Sequence, residues 1–342
     1  MRHGFAEVRL APRLLSETIM NQRILPLLAL LAVTACGSSA DPVATTSQAF
    51  GSMGWWTQSF STYGISLNGQ SLNGKTLDGH GVVGVDYAGV MVGKQQASDV
   101  GLDGGALVGK LGHKKLTGRD FVGATLAGRL DDGDLVALRI EDVVENDARA
   151  NRDVQLYRVS YATQNGWRPL CGLDAGQPML AIPVEGRWDY RAGVAGGGSH
   201  IDDDAHFTFA CRGYAIAKCV ELGYKPWAET RLCPGGGKKC APTSIAELQQ
   251  ACVRALRADY CGDGTTNTVD GIRVNVYDAF GYHIAEPTWA FEAEWTADGA
   301  RCASRLRVPS ITPTCWSRLA RPDCGSAAHF ADATLLMTQL ER

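Results

Sequence analysis

Apolar and polar positions fall into two periods in the second half of the chain. Leu135 to Ile140, Val154 to Tyr161, Met179 to Val184, His206 to Ala210, Ile272 to Tyr277 and Trp289 to Trp295 predict short strands, with Gly-rich turns between several of them. In the second of these runs, strict alternation puts Tyr157, Val159 and Tyr161 on one face. Helical spacing occurs from Ser244 to Tyr260, where Ile245, Leu248, Cys252, Leu256 and Tyr260 form one stripe. Ser244 and Glu247 have the spacing of a capping box, and Gly262 is placed to end the helix. Tyr214 to Leu222 predicts a second, shorter helix.

A different period rules the stretch before residue 134. Gly64, Gly69, Gly74, Gly79, Gly84 and Gly89 recur every five residues, and Gly118, Gly123, Gly128 and Gly133 resume the spacing. An apolar residue stands two before most of them: Leu67, Leu72, Leu77, Val82 and Tyr87, then Leu116, Phe121 and Leu126. Five matches neither the helical nor the strand period. Regular turning fits it, so a short β-solenoid is the expectation for residues 61–133, with irregular hairpins as the alternative. The period resembles that of pentapeptide-repeat β-helices, although Gln70 and Lys75 stand where a small residue belongs.

Near the start, Arg23 precedes an apolar run from Ile24 to Ala35, 12 residues long and too short for the roughly 20 that span a bilayer. The run reads as a secretion signal, with Met20 a plausible true start. It ends in Val33-Thr34-Ala35-Cys36, which resembles the lipobox of bacterial lipoproteins. That resemblance implies cleavage before Cys36 and acylation of its thiol, and Gly37 in place of Asp implies the outer membrane. Residues 37–60, small and polar, read as a flexible tether.

Composition narrows the classes. The 342 residues carry a net charge of −3, so no basic excess suggests nucleic acid. Loss of residues 1–36 removes Arg2, Arg9, Arg13 and Arg23 with Glu7 and Glu17, leaving a mature charge of −5. Such a body does not cling to anionic lipid by charge, so the acyl chains do the anchoring. Forty glycines and eleven cysteines point to a loop-rich extracytoplasmic fold. With Cys36 acylated, ten remain: Cys171, Cys211, Cys219, Cys233, Cys240, Cys252, Cys261, Cys302, Cys315 and Cys324. An even set in an oxidising compartment predicts five disulfides, of open connectivity. No C-x-x-C pair occurs, so zinc is not expected.

Candidate chemistry is sparse. His200, Asp202, Asp204 and His206 crowd imidazoles and carboxylates behind Gly196-Gly197-Gly198, a weak cation-site pattern on what reads as a mobile, solvated loop. Asp263 to Gly271 offers oxygen donors without calcium-loop spacing and reads as a turn. Ser199 lacks a nucleophile elbow, and paired cysteines leave no thiol for catalysis. Trp167, Trp188, Trp227, Trp289, Trp295 and Trp316 read mainly as core filler, with sugar or partner contact as the alternative.

Three strings then coincide: Phe207-Thr-Phe-Ala-Cys-Arg-Gly-Tyr-Ala-Ile-Ala-Lys-Cys219, Gly223-Tyr-Lys-Pro-Trp227 and Arg257-Ala-Asp-Tyr-Cys-Gly-Asp-Gly264. Together they resemble the ADYC domain of secreted bacterial proteins, named for the tetrapeptide that here is Ala258, Asp259, Tyr260 and Cys261. The resemblance covers about residues 134–325; it implies secretion and disulfides and brings no reaction with it. In the residues themselves, Tyr260 lies on the apolar stripe, and Asp259 near a helix C-terminus needs a cation or backbone donors. A structural knot is the expectation, and an Asp259–Tyr260 acid–base pair the rival.

The fold expected is α+β, β-rich, loop-rich and disulfide-stapled, with the repeat segment ahead of it and a helical tail over residues 326–342. The function expected is a lipid-anchored, non-enzymatic envelope module for binding or structural work, without cofactor or nucleic acid. Its partner would be an envelope protein or a glycan. The alternative is a metal-assisted hydrolase built on the His200–His206 loop.

Overall fold

The computed structural model describes residues 81–232, 241–269 and 272–342. Cys36, the leader, the tether, the repeats before residue 81 and the pair Cys233 and Cys240 lie outside the described residues.

Six antiparallel strands close into a barrel: β1 (Val82–Asp86), β2 (Thr125–Leu130), β3 (Leu135–Glu145), β4 (Gln155–Thr163), β5 (Ala181–Glu185) and β6 (His206–Cys211). Each pairs with the next in sequence, and β6 returns to β1 through Asp86 opposite His206. Alternation decides the two faces. Val85, Leu126, Leu138, Ile140, Tyr157, Val159, Tyr161, Phe207 and Phe209 share one buried cluster. Tyr157 meets Phe209 at 5.8 Å between ring centroids, although β5 lies between their strands, which places these rings inside. Leu156, Ile182, Val184 and Ala210 point the other way, into a second core.

That second core is organised by two helices. α1 (Ala215–Glu221) and α2 (Ile245–Arg257) are joined by the Cys219–Cys252 disulfide. Ser244 caps α2 by accepting the Ala246 N–H at 3.1 Å, worth about 1 kcal/mol. The predicted helix end moves inward from Gly262: Ala258 adopts the left-handed conformation at φ 50°, and Asp259 N–H donates back to the Arg254 carbonyl. Beyond α2 lies a second antiparallel sheet: β7 (Val274–Asp278), β8 (Ala290–Thr296), β9 (Gly299–Ala303) and β10 (Leu336–Leu340), in the order β7-β10-β8-β9. α2 therefore sits between barrel and sheet, with Val276, Ala293, Trp295 and Leu336 on its far side.

Two expectations are corrected. Among the described residues, the pentad stretch forms no solenoid. It supplies β1 and β2, a hairpin at residues 91–96, and a three-stranded sheet (Ser98–Asp103, Ala106–Leu111, Lys114–Thr117) that covers the barrel. Leu107 N–H there donates to the Tyr157 hydroxyl at 2.9 Å. Glycines five apart have unlike causes. Gly123 and Gly133 turn the chain at φ 83° and 93°, whereas a Cβ on Gly84 within β1 would lie 2.8 Å from the Arg187 side chain. The tail is not helical either. After a 3-10 turn at Ala327–Ala331, β10 runs through the middle of the second sheet with all five side chains buried. A strand buried on both faces needs no alternation, so Leu336–Leu340 carries no strand period in the sequence.

Among the described residues, four disulfides staple these parts. Cys171–Cys211 ties the loop after β4 to the end of β6, and Cys261–Cys315 holds the turn after α2. Cys302–Cys324 fastens β9 to the segment before β10.

Candidate functional site

The tetrapeptide after α2 is a junction of buried polar groups. Asp259 is fully buried and bonds the guanidinium of Arg254, with Arg257 at 3.8 Å. It also accepts the backbone N–H groups of Asp263 at 3.2 Å and Gly264 at 3.0 Å. Burial pushes Arg257 down to about 10 against the pull of Asp259. Tyr260 lies flat on Trp295 at 5.3 Å and donates to Glu292 Oε1 at 2.6 Å. Its oxygen accepts the Arg307 N–H at 2.9 Å. Arg307 in turn grips Glu292 at 3.0 and 2.8 Å, with both side chains wholly buried. Burial and then the Glu292 charge push the Tyr260 phenol far above its ordinary value, so it stays protonated. Asp259 and Tyr260 thus bond to separate partners and do not form an acid–base pair with each other.

Arg254 extends this knot to the glycine loop. It donates to the Gly197 carbonyl and, at 2.6 Å, to Ser199 Oγ. Gln250 accepts the His200 N–H at 2.8 Å and donates to the Gly198 carbonyl at 3.1 Å. The loop expected to be mobile is pinned to α2 at four points. Ser199 Oγ accepts a hydrogen bond from Arg254. Nearby, Asp263 makes an Asx turn to Thr265 N–H at 2.9 Å.

The His200–His206 segment lines a cleft of about 290 Å³ with Glu185, Asp202, Asp203, Asp204, Leu102, Gly104 and Trp227. The second family string supplies Trp227, whose indole lies against Gly104 and Gly105. Gly186 permits the fit: at φ 77° a Cβ would stand 2.5 Å from His200 Nε2. His200 Nε2 contacts the Glu185 carbonyl at 2.7 Å, and its Nδ1 lies 3.3 Å from the fully exposed Asp202. His206 turns away from the cleft into a charged seam. Its Nδ1 meets Asp203 at 2.7 Å, and its Nε2 lies 2.9 Å from Asp86 and 2.8 Å from Arg129. Hydrogen bonding from His206, then from Arg187, holds Asp203 down at about 2. Burial and then the charges of Glu185 and Asp204 push the Tyr87 phenol up.

The two imidazoles are therefore not brought together. Among the described residues, three His, Cys, Asp or Glu donors come within 4.8 Å of one another at Glu294, Cys302 and Cys324 alone, and those sulfurs bond each other. Of the tryptophans, Trp188, Trp289 and Trp295 are buried, Trp227 borders the cleft, and Trp167 lies exposed under Arg139 at 4.3 Å. Sequence reading missed Glu292 and Arg307, which sit outside the quoted strings. It also missed Glu185 as a cleft residue, for want of a signal joining β5 to the loop.

The architecture is that of a disulfide-stapled barrel joined through a buried helix to an antiparallel sheet. A family comparison matches residues 118–309 to the ADYC domain, and the chain belongs to that family. The match begins inside the barrel, just before β2, and ends before β10. No curated protein and no solved structure matches the chain. No described helix is long and apolar enough to cross a membrane.

Proposed function

We propose that the protein is an exported, lipid-anchored, non-enzymatic module of the cell envelope, held in the outer membrane through Cys36 and binding a basic ligand at the Trp227 cleft. One observation carries the binding half. The motif's polar groups are consumed internally, whereas Glu185, Asp202 and Asp204 line an open cleft beside an indole. Carboxylates facing an aromatic wall suit a lysine or arginine side chain of an envelope protein, or an amino sugar. The anchoring half rests on the leader and lipobox read from the sequence, and four disulfides agree with an oxidising compartment.

The test uses a lysine-rich peptide as probe and the acylated full chain. Trp227→Ala and the double change Asp202→Asn with Asp204→Asn each weaken binding several-fold, in line with about 0.5–2 kcal/mol for a cation–aromatic contact. Added salt weakens it further. Equal binding by all variants removes the cleft from the account.

A further inference from the structure

The four disulfides among the described residues do not share one environment. Cys171–Cys211 and Cys219–Cys252 are buried at both sulfur-bearing residues. Cys261–Cys315 and Cys302–Cys324 each have one half-exposed residue, Cys261 and Cys324. Charge separates these two. At Cys302–Cys324 a carboxylate oxygen of buried Glu294 lies within 4.8 Å of both sulfurs. That carboxylate, which also meets His329 Nδ1 at 2.7 Å and Arg301 at 3.5 Å, opposes an incoming thiolate and a departing one alike. At Cys261 the neighbours have the opposite sense. Cys315 N–H donates to Cys261 Sγ at 3.3 Å, and the Thr314 hydroxyl lies 3.6 Å from it. The Arg318 guanidinium reaches the Cys261 carbonyl at 3.5 Å.

We propose that Cys261–Cys315 is an exchange site for an extracytoplasmic dithiol reductant, and that Cys302–Cys324 is shielded by Glu294. The first thiolate of the reductant attacks the half-exposed Cys261 sulfur. The Cys261–Cys315 bond breaks, and Cys315 leaves as a thiolate and takes a proton. The reductant's second thiolate then attacks its own mixed-disulfide sulfur. Cys261 leaves, its negative charge met by the Cys315 N–H and the Thr314 hydroxyl. The reductant ends as a disulfide and the protein as two thiols. Exchange cuts the covalent tie between the family tetrapeptide and residue 315. Tyr260, Glu292 and Arg307 still hold the turn, so the product stays folded. The inference rests on the disulfides and is independent of the cleft.

The experiment is partial reduction of the folded full chain with graded dithiothreitol, alkylation, and peptide mass mapping. Cys261 and Cys315 become alkylated at reductant levels about tenfold below those needed for Cys302 and Cys324, and before the two buried pairs. Thr314→Val with Arg318→Ala slows that first step, and Glu294→Gln speeds opening of Cys302–Cys324. If Glu294→Gln fails to fold, the Thr314 and Arg318 changes suffice. Opening of Cys302–Cys324 first, simultaneous opening of all four, or an unchanged rate in the Thr314 and Arg318 variant overturns the proposal.

Discussion

Tyr260 donates its phenolic hydrogen to Glu292 Oε1 at 2.6 Å, and that same oxygen accepts Arg307 Nε at 3.0 Å. A residue of the turn after α2 is thereby fastened to β8 and to a loop beyond β9 by one carboxylate. Removing the phenol oxygen strands the Arg307 backbone N–H, which has it as acceptor. Tyr260→Phe lowers stability by about 1–3 kcal/mol in urea unfolding. Arg307→Ala leaves Glu292 charged and buried and costs more, about 3–5 kcal/mol.

Asp259 is the second half of the same knot. Two guanidiniums, Arg254 and Arg257, face it in a site closed to water. Asp259→Asn removes the carboxylate that faces both buried cations, at a cost of about 3–5 kcal/mol. The effect reaches Gly197 and Ser199, because Arg254 holds them. Hydrogen exchange at residues 196–200 accelerates in the variant more than exchange in β3, which touches none of these groups. Equal acceleration everywhere contradicts this route.

The helix, its cap and six strands were legible because each depends on neighbours within a few residues. Ile245, Leu248, Cys252 and Leu256 are buried together on α2, and Tyr157, Val159 and Tyr161 share the barrel core. Barrel closure was not legible, since Asp86 pairs with His206 across 120 positions and no local pattern announces it. The pentad glycines misled because turn glycines and crowded strand glycines look the same in a sequence. In the tetrapeptide, Asp259's need for a counter-charge could be read. Its main partner, Arg254, is one helical turn from the end, and the residue nearer in sequence, Arg257, stands farther away.

Acid titration tests the barrel seam. Asp203 is held at about 2 by His206 and Arg187, below its ordinary value of 3.8. The unfolded chain therefore binds more protons than the folded one between those values, and stability rises with pH there. The Asp203 contribution is fully present above about pH 4 and fades as pH falls through 2. Asp203→Asn removes it and flattens the acid limb of the stability curve. An unchanged limb contradicts the seam.

Cys219–Cys252 joins the two helices of the second core. Replacing both cysteines by alanine lowers stability by about 2–5 kcal/mol, read as a shift in the thermal midpoint. Ligand binding at the Trp227 cleft, which neither cysteine lines, survives in the fraction that remains folded.

The central claim is that the chain is exported, acylated on one sulfur and oxidised on the others. Intact mass spectrometry of protein extracted from cell envelopes, unfolded with an alkylating reagent and without reductant, tests it most directly. The account predicts a chain beginning at Cys36, heavier by its acyl groups, with no alkylated cysteine. A chain that keeps Ile24 to Ala35 and carries alkylated cysteines contradicts it.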